Sequence, residues 1–120
     1  MTPRRLPIAA AGLAVAIVLA VPAVAHHGWG SYDAGNPLTL NGVIKRKTFE
    51  NPHGTIHLVV ADREWEIVLA PPYRMVNRGL TDDMLQVGGT AEVYGYPSRN
   101  HAGELRAERI TVAGKTTELR

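Results

Sequence analysis

The feature that most constrains the fold is a series of short segments with apolar residues at every second position, separated by glycine- and proline-rich turns. Alternation over about four to eight residues is the period of a half-buried β-strand rather than of an amphipathic helix. The sequence therefore predicts a domain built from β-strands. Five such segments and a short sixth one are predicted at residues 38–44 (continuing to 49), 55–60, 64–69, 90–96, 104–112 and 115–119.

The alternation also predicts which side chains point inward and where strands are irregular. In the third strand, Trp65 and Ile67 share the inward face, and we expect Trp65 to be buried. Gly42 inside the first strand indicates a bulge or a sharp bend. The inward phase of the fifth strand slips between Ala107 and Ile110, which predicts a bulge there.

A short helical region is predicted between the third and fourth strands. Residues 73–78 form a helical turn, and Thr81 is placed as an N-cap with Asp82 and Asp83 in the first turn, where the helix dipole favours acidic groups. Three strands, a short helix and two or three further strands is the order of an oligonucleotide/oligosaccharide-binding (OB) barrel. The fold expected is thus all-β with one short helix, a small five- to six-stranded OB-like barrel; an open sandwich of the same strands is the alternative.

Residues 1–25 have the three parts of an export signal. Arg4 and Arg5 form a basic start, residues 8–21 form an uncharged apolar run of 14 residues, and the small-x-small sequence at 23–25 is a signal-peptidase site. The run is shorter than the roughly 20 residues of a membrane-spanning helix. We expect cleavage after Ala25 and a periplasmic or secreted protein; an uncleaved segment would be its only attachment to a membrane.

Cleavage would leave 95 residues, enough for one domain with its own core. We divide them into an N-terminal histidine segment, 26–37, and an OB-like barrel, 38–120. Without the two leader arginines, eleven basic side chains balance eleven acidic ones, and the longest basic run is Lys45-Arg46-Lys47. That balance makes nucleic acid a poor partner. The chain has no cysteine, which excludes disulfides and thiolate metal sites.

The predicted cut would start the mature chain at His26-His27, next to a free α-amine. An N-terminal histidine can chelate a metal through its α-amine and its own Nδ1. A third nitrogen completes a T-shaped site of the kind that Cu(II) prefers. This resembles the histidine brace of lytic polysaccharide monooxygenases and of some periplasmic copper carriers, an analogy that rests on the terminus and not on the fold. Copper is therefore the expected metal.

Two further histidines are candidates for the third nitrogen. His53 lies in the turn before the second strand and His57 on the outward face of that strand, near the loop that OB barrels commonly use for ligands. Asp33 is a candidate for orienting an imidazole. The alternatives to these metal-binding roles are a solvated N-terminus, a His53 that caps its turn and a His57 that is simply exposed on its strand. His101 is expected at the surface. The predicted metal ligands are His26, His27, His53 and His57.

Aromatic residues suggest a second kind of site. Trp29 and Tyr32, with Asn51 of the first loop, are predicted to contact a small ligand, and the alternative is that the two rings pack the terminal segment onto the barrel. Tyr94 and Tyr96 face out of the fourth strand and form a possible stacking platform. No nucleophile elbow, phosphate loop or zinc-protease motif is present in the sequence, so catalysis is the weaker class of function.

Taken together, these motifs resemble an uncharacterised family of exported bacterial proteins known only as a domain of unknown function. The most specific elements are Ala25-His26-His27 and Asn51-Pro52-His53. The resemblance implies an exported small β-domain and supplies no activity. We expect a periplasmic Cu(II)-binding protein; the alternatives are a metal-free module that binds a small ligand or an exported protein, and a copper-brace oxidase. The resemblance is carried by residues 25–33, 38–42, 51–53, 78–81 and 104–110.

Overall fold

A computed structural model describes residues 2–4, 12 and 28–120 of the chain. The predicted cleavage site and the ligands His26 and His27 lie outside the described residues. The chain from residue 28 onward forms six strands and one short helix, together with 3₁₀ turns at Trp29–Ser31 and Asp82–Met84. The elements are β1 (Leu38–Thr48), β2 (Thr55–Val60), β3 (Arg63–Val68), α1 (Pro72–Asn77), β4 (Thr90–Pro97), β5 (Glu104–Val112) and β6 (Lys115–Glu118).

The strands form one sheet that closes on itself. Its order is β3-β2-β1-β4-β5-β6, and a parallel pairing between β3 and β5 joins the ends of the first five strands. The other pairings are antiparallel, and β6 extends the sheet beyond β5. The result is a closed five-stranded mixed barrel with one extra strand. This confirms the predicted β-class and barrel and rules out the open sandwich.

The core lies inside the barrel and follows the predicted alternation. In β2, Ile56 and Leu58 are 0 % exposed, while His57 between them is half-buried. Trp65 differs from the prediction, because its ring is only half-buried and carries the Arg63 guanidinium 4.4 Å above it. The ring packs against the edge of the core, near the β2–β3 turn. The largest fully buried side chains are Ile44, Ile56, Leu58, Ile67, Leu69, Met75, Leu80, Leu85, Leu105, Ile110, Leu119 and Val68.

Two bulges bend the sheet into the barrel. The one in β5 confirms the prediction, because Tyr94 pairs with Arg109 and the next residue, Gly95, pairs with Ala107, leaving Glu108 as the extra residue. The bulge in β1 falls at Lys45 rather than at Gly42.

Gly42 is required for another reason. A Cβ there would overlap the main-chain carbonyl of Val59 on the neighbouring strand. The glycine therefore allows the close approach of β1 and β2 at the barrel corner.

The helical region between β3 and β4 is present but short. α1 begins at Pro72, one residue before the predicted start, which suits a proline in a first helical turn. Thr81 occupies the predicted N-cap position, but the element that follows is a 3₁₀ turn and the Thr81 side chain makes no capping hydrogen bond. Among the described residues, no helix is long and apolar enough to cross a membrane.

Candidate functional site

His53 lies in the loop between β1 and β2, which is tied to the end of β3. The amide of Gly54 donates to the Ala70 carbonyl and the amide of Leu69 donates to the Gly54 carbonyl, both at 2.9 Å. The ring of His53 is half-buried, and its Nδ1 lies 3.4 Å from the Gly54 carbonyl oxygen. A carbonyl only accepts, so this contact is a hydrogen bond in the tautomer that carries the proton on Nδ1; Nε2, on the other side of the ring, is buried.

His57 lies on the outward face of β2, within a cluster of ions. Its Nδ1 is 3.1 Å from Glu64 Oε1, which also accepts from Arg46 Nη2 at 2.5 Å, while Lys45 Nζ donates to Glu64 Oε2 at 3.2 Å. Hydrogen bonds from Arg46 and Lys45 lower the pKa of Glu64 to about 2. Glu64 is therefore a permanent carboxylate shared by three partners, and two of those partners are permanent cations.

The two candidate ligands, His53 and His57, differ in the charges around them. A divalent cation at His57 would be repelled by the ammonium of Lys45 and the guanidinium of Arg46, which share the same carboxylate. His53 is held by a main-chain carbonyl instead, an arrangement that orients many metal-ligating imidazoles. The electrostatics favour His53 as the ligand.

Residues 28–33 form a segment docked on the loop between β4 and β5. Tyr32 is 2 % exposed, forms a β-bridge with Ser98, and donates from its hydroxyl to Glu104 Oε2 at 3.1 Å. Burial and the Glu104 carboxylate raise the pKa of Tyr32 to about 12. Main-chain bonds from Asp33 N to Pro97 O and from Arg99 N to the Ser31 carbonyl, each 2.9 Å, complete the docking.

Trp29 fastens this segment to β5 and to the end of the chain. Its ring lies 4.6 Å from the guanidiniums of both Arg106 and Arg120, and it meets Tyr96 edge-on with the ring centroids 6.0 Å apart. Arg106 is only 8 % exposed, and burial lowers its pKa. Trp29 and Tyr32 therefore pack the segment onto the barrel, as in the alternative interpretation of the sequence.

The predicted stacking platform on β4 is covered by the protein's own side chains. Arg109 lies 4.1 Å from the Tyr94 ring, and the Tyr96 hydroxyl donates to Glu108. That hydrogen bond raises the pKa of Tyr96 to about 12. The sequence analysis did not identify the arginines that stack on these aromatic rings, Arg106, Arg109 and Arg120, because their partners are distant in sequence. Their contacts leave the rings as packing elements.

Strand register brings the docked segment and His53 to one side of the barrel. Thr55, two residues after His53, pairs with Val68, and Val68 pairs with Arg106, on which Trp29 stacks. Neighbouring strands are about 4.8 Å apart, so Thr55 and Arg106 are separated by about 10 Å. The loop of His53 and the docked segment are therefore close in the fold although they are distant in sequence.

The remaining predicted residues lie apart from this region or serve other contacts. The Asp33 carboxylate accepts from the Gly35 amide and the Asn36 side chain, so it organises a local turn. Asn51 and His101 are exposed in loops. Within residues 28–120 and the few described before them, no group of three His, Cys, Asp or Glu side chains could hold a metal.

Residues 14–106 match a family of unknown function, DUF6152. The comparison with curated proteins gives no match.

Proposed function

Because the chain belongs to DUF6152, a family whose function is unknown, we propose a function from the site itself: an exported protein that binds Cu(II). The proposed ligands are the α-amine and Nδ1 of His26 with the imidazole of His53, and His27 is an alternative ligand. The observation that supports the proposal is the strand register, which brings the loop of His53 and the docked segment 28–33 to one side of the barrel.

The docked segment supports the same proposal. Gly28 immediately precedes Trp29, whose ring is fastened between Arg106 and Arg120. Two residues of chain span at most about 7 Å, so a mature terminus at His26 would be connected to the docked segment by only a short stretch of chain. The strand register places this segment on the side of the barrel that carries the loop of His53. A terminal amine and a loop imidazole in that arrangement suit a small tetragonal nitrogen site.

Export and cleavage are tested first. Protein recovered from the periplasm should give the N-terminal sequence His-His-Gly-Trp, and its metal content should be measured without added metal. A different start would remove the α-amine from the ligand set and would contradict the proposal.

The ligands are then tested by titrating Cu(II) against a competing chelator. A variant with one alanine added before His26 keeps both imidazoles but separates the amine from the histidine, so the chelate ring is lost and affinity should fall steeply. His53→Ala should also weaken binding, while His57→Ala and the matched surface control His101→Ala should bind as the native protein does. Because the α-amine, with an ordinary pKa of about 7.7–8.0, must lose its proton, native binding should weaken below neutral pH.

The outcomes separate the copper proposal from its alternatives. Equal affinity of the alanine-extended and native proteins would refute the N-terminal chelate. Metal-free protein without Cu(II) affinity would instead favour a module that binds a small ligand or another exported protein. Peroxide production by the copper-loaded protein in the presence of a reductant would favour the oxidase.

A further inference from the structure

An open groove of about 460 Å³ runs beside the second half of β1, and no step of the copper proposal uses it. β1 and β2 form one wall, and the loop before β4 contributes an apolar residue. Its lining residues are Lys45, Arg46, Lys47, Thr48, His57 and Val87.

The bulge in β1 concentrates positive charge in this groove. In a regular strand, Lys45 and Arg46 would point to opposite faces. The register shift between Ile44 and Arg46 lets both side chains reach the same carboxylate, that of Glu64 on β3. The Lys45 and Arg46 side chains nevertheless remain 58 % and 62 % exposed, so both cations are accessible to a solute.

The carboxylates that contact these cations do not balance them. Glu64 is shared by Lys45 and Arg46, and Asp82 forms an ion pair with Lys47 at 2.8 Å. Three cations on one strand thus face two carboxylates in these ion pairs, which leaves one positive charge in a domain whose predicted mature net charge is zero. Lys45 and Arg46 also carry more N–H donors than one carboxylate can accept.

The groove has an apolar side as well. Val87 is 61 % exposed, so its side chain gives the groove an accessible apolar surface beside the cations. The hydroxyl of Thr48 offers a further hydrogen bond. We propose that this groove binds a small organic anion, with its phosphate or carboxylate group on Lys45 and Arg46 and its apolar substituent on Val87.

The test is an NMR titration of the purified full-length protein, with phenyl phosphate and inorganic phosphate as probes. Phenyl phosphate should shift the amides of the groove residues and should bind more tightly than inorganic phosphate. The double substitution Lys45→Ala/Arg46→Ala should weaken binding about tenfold, as expected for the loss of two exposed ion pairs. Lys115→Ala, which removes a lysine whose Nζ bonds to the Gly79 carbonyl elsewhere, is the control of equal charge type and should have no effect.

Two further variants make the result specific. Glu64→Gln removes the internal carboxylate and should strengthen phenyl phosphate binding, whereas a purely structural role of Glu64 would weaken it through unfolding. Val87→Thr keeps the shape and should reduce the preference for phenyl phosphate over inorganic phosphate.

Three outcomes would overturn the proposal. The first is that Lys115→Ala lowers the affinity for phenyl phosphate as much as the double variant does. The second is equal and weak binding of both phosphates, which would indicate an adventitious ion only, and the third is binding to phosphatidylglycerol vesicles without binding to phenyl phosphate. The last result would identify a lipid surface rather than a small anion. None of these measurements involves a metal, so they are independent of the copper proposal.

Discussion

Trp29→Ala should release the docked segment without unfolding the barrel. The substitution removes two guanidinium contacts at 4.6 Å and one edge-on contact with Tyr96. Each cation–π contact contributes about 0.5–1 kcal/mol at a partly exposed site, and an aromatic pair contributes about 0.5–1.5 kcal/mol. The docking free energy should therefore fall by about 2 kcal/mol, which corresponds to roughly a 30-fold change in an opening equilibrium.

Amide hydrogen exchange measures this opening directly. The amides of Asp33 and Arg99 bridge the segment and the barrel, so their protection should fall about 30-fold in Trp29→Ala. Trp65→Ala is the matched control, because that ring also carries a stacked arginine but lies on β3. It should lower protection in β2 and β3 and leave the two reporter amides unchanged. If Trp29→Ala leaves both reporters within about threefold of the native protein, the stacking does not hold the segment and the reasoning is refuted.

Two other predictions concern packing and pH. Gly95→Ala places a Cβ against the main-chain carbonyl of Arg106, which cannot move aside, so thermal unfolding should show a loss of at least about 1–3 kcal/mol. Gly30→Ala, with no atom within 4 Å of the added carbon, is the control and should leave the melting temperature unchanged. The pKa of Glu64 is lowered from its ordinary value near 4.5 to about 2, so its ion pairs contribute stability that is full above pH 4.5 and is lost as pH falls toward 2. Carboxyl NMR should show this midpoint, and a midpoint near 4.5 would contradict the shared ion pairs.

The strands themselves could be predicted because their signal is local. Alternation in β2 and β5 gave the observed bounds, since a strand with one buried face needs an apolar residue at every second position. The slip between Ala107 and Ile110 marked the β5 bulge for the same reason. The barrel followed from the order of the strands and the short helix along the chain.

Irregularities that depend on a neighbouring strand could not be predicted in this way. Gly42 indicated a bulge or a sharp bend; the bulge of β1 lies instead at Lys45, and Gly42 admits the carbonyl of Val59. Trp65 has the inward phase and packs against the core, but its ring stays half-buried and stacks with Arg63. Both outcomes depend on distances between strands, which alternation along one strand does not contain.

The candidate site shows the same division. The sequence by itself determined which residues have metal-binding chemistry, because imidazoles and a predicted terminal amine are properties of residue type and position. Only the tertiary structure distinguished His53 from His57, since the pairing of β2 with β3 brings Glu64, and with it Lys45 and Arg46, against His57. Charges act through space over a few ångströms, so the surroundings of two similar histidines depended on strand pairing rather than on spacing along the chain.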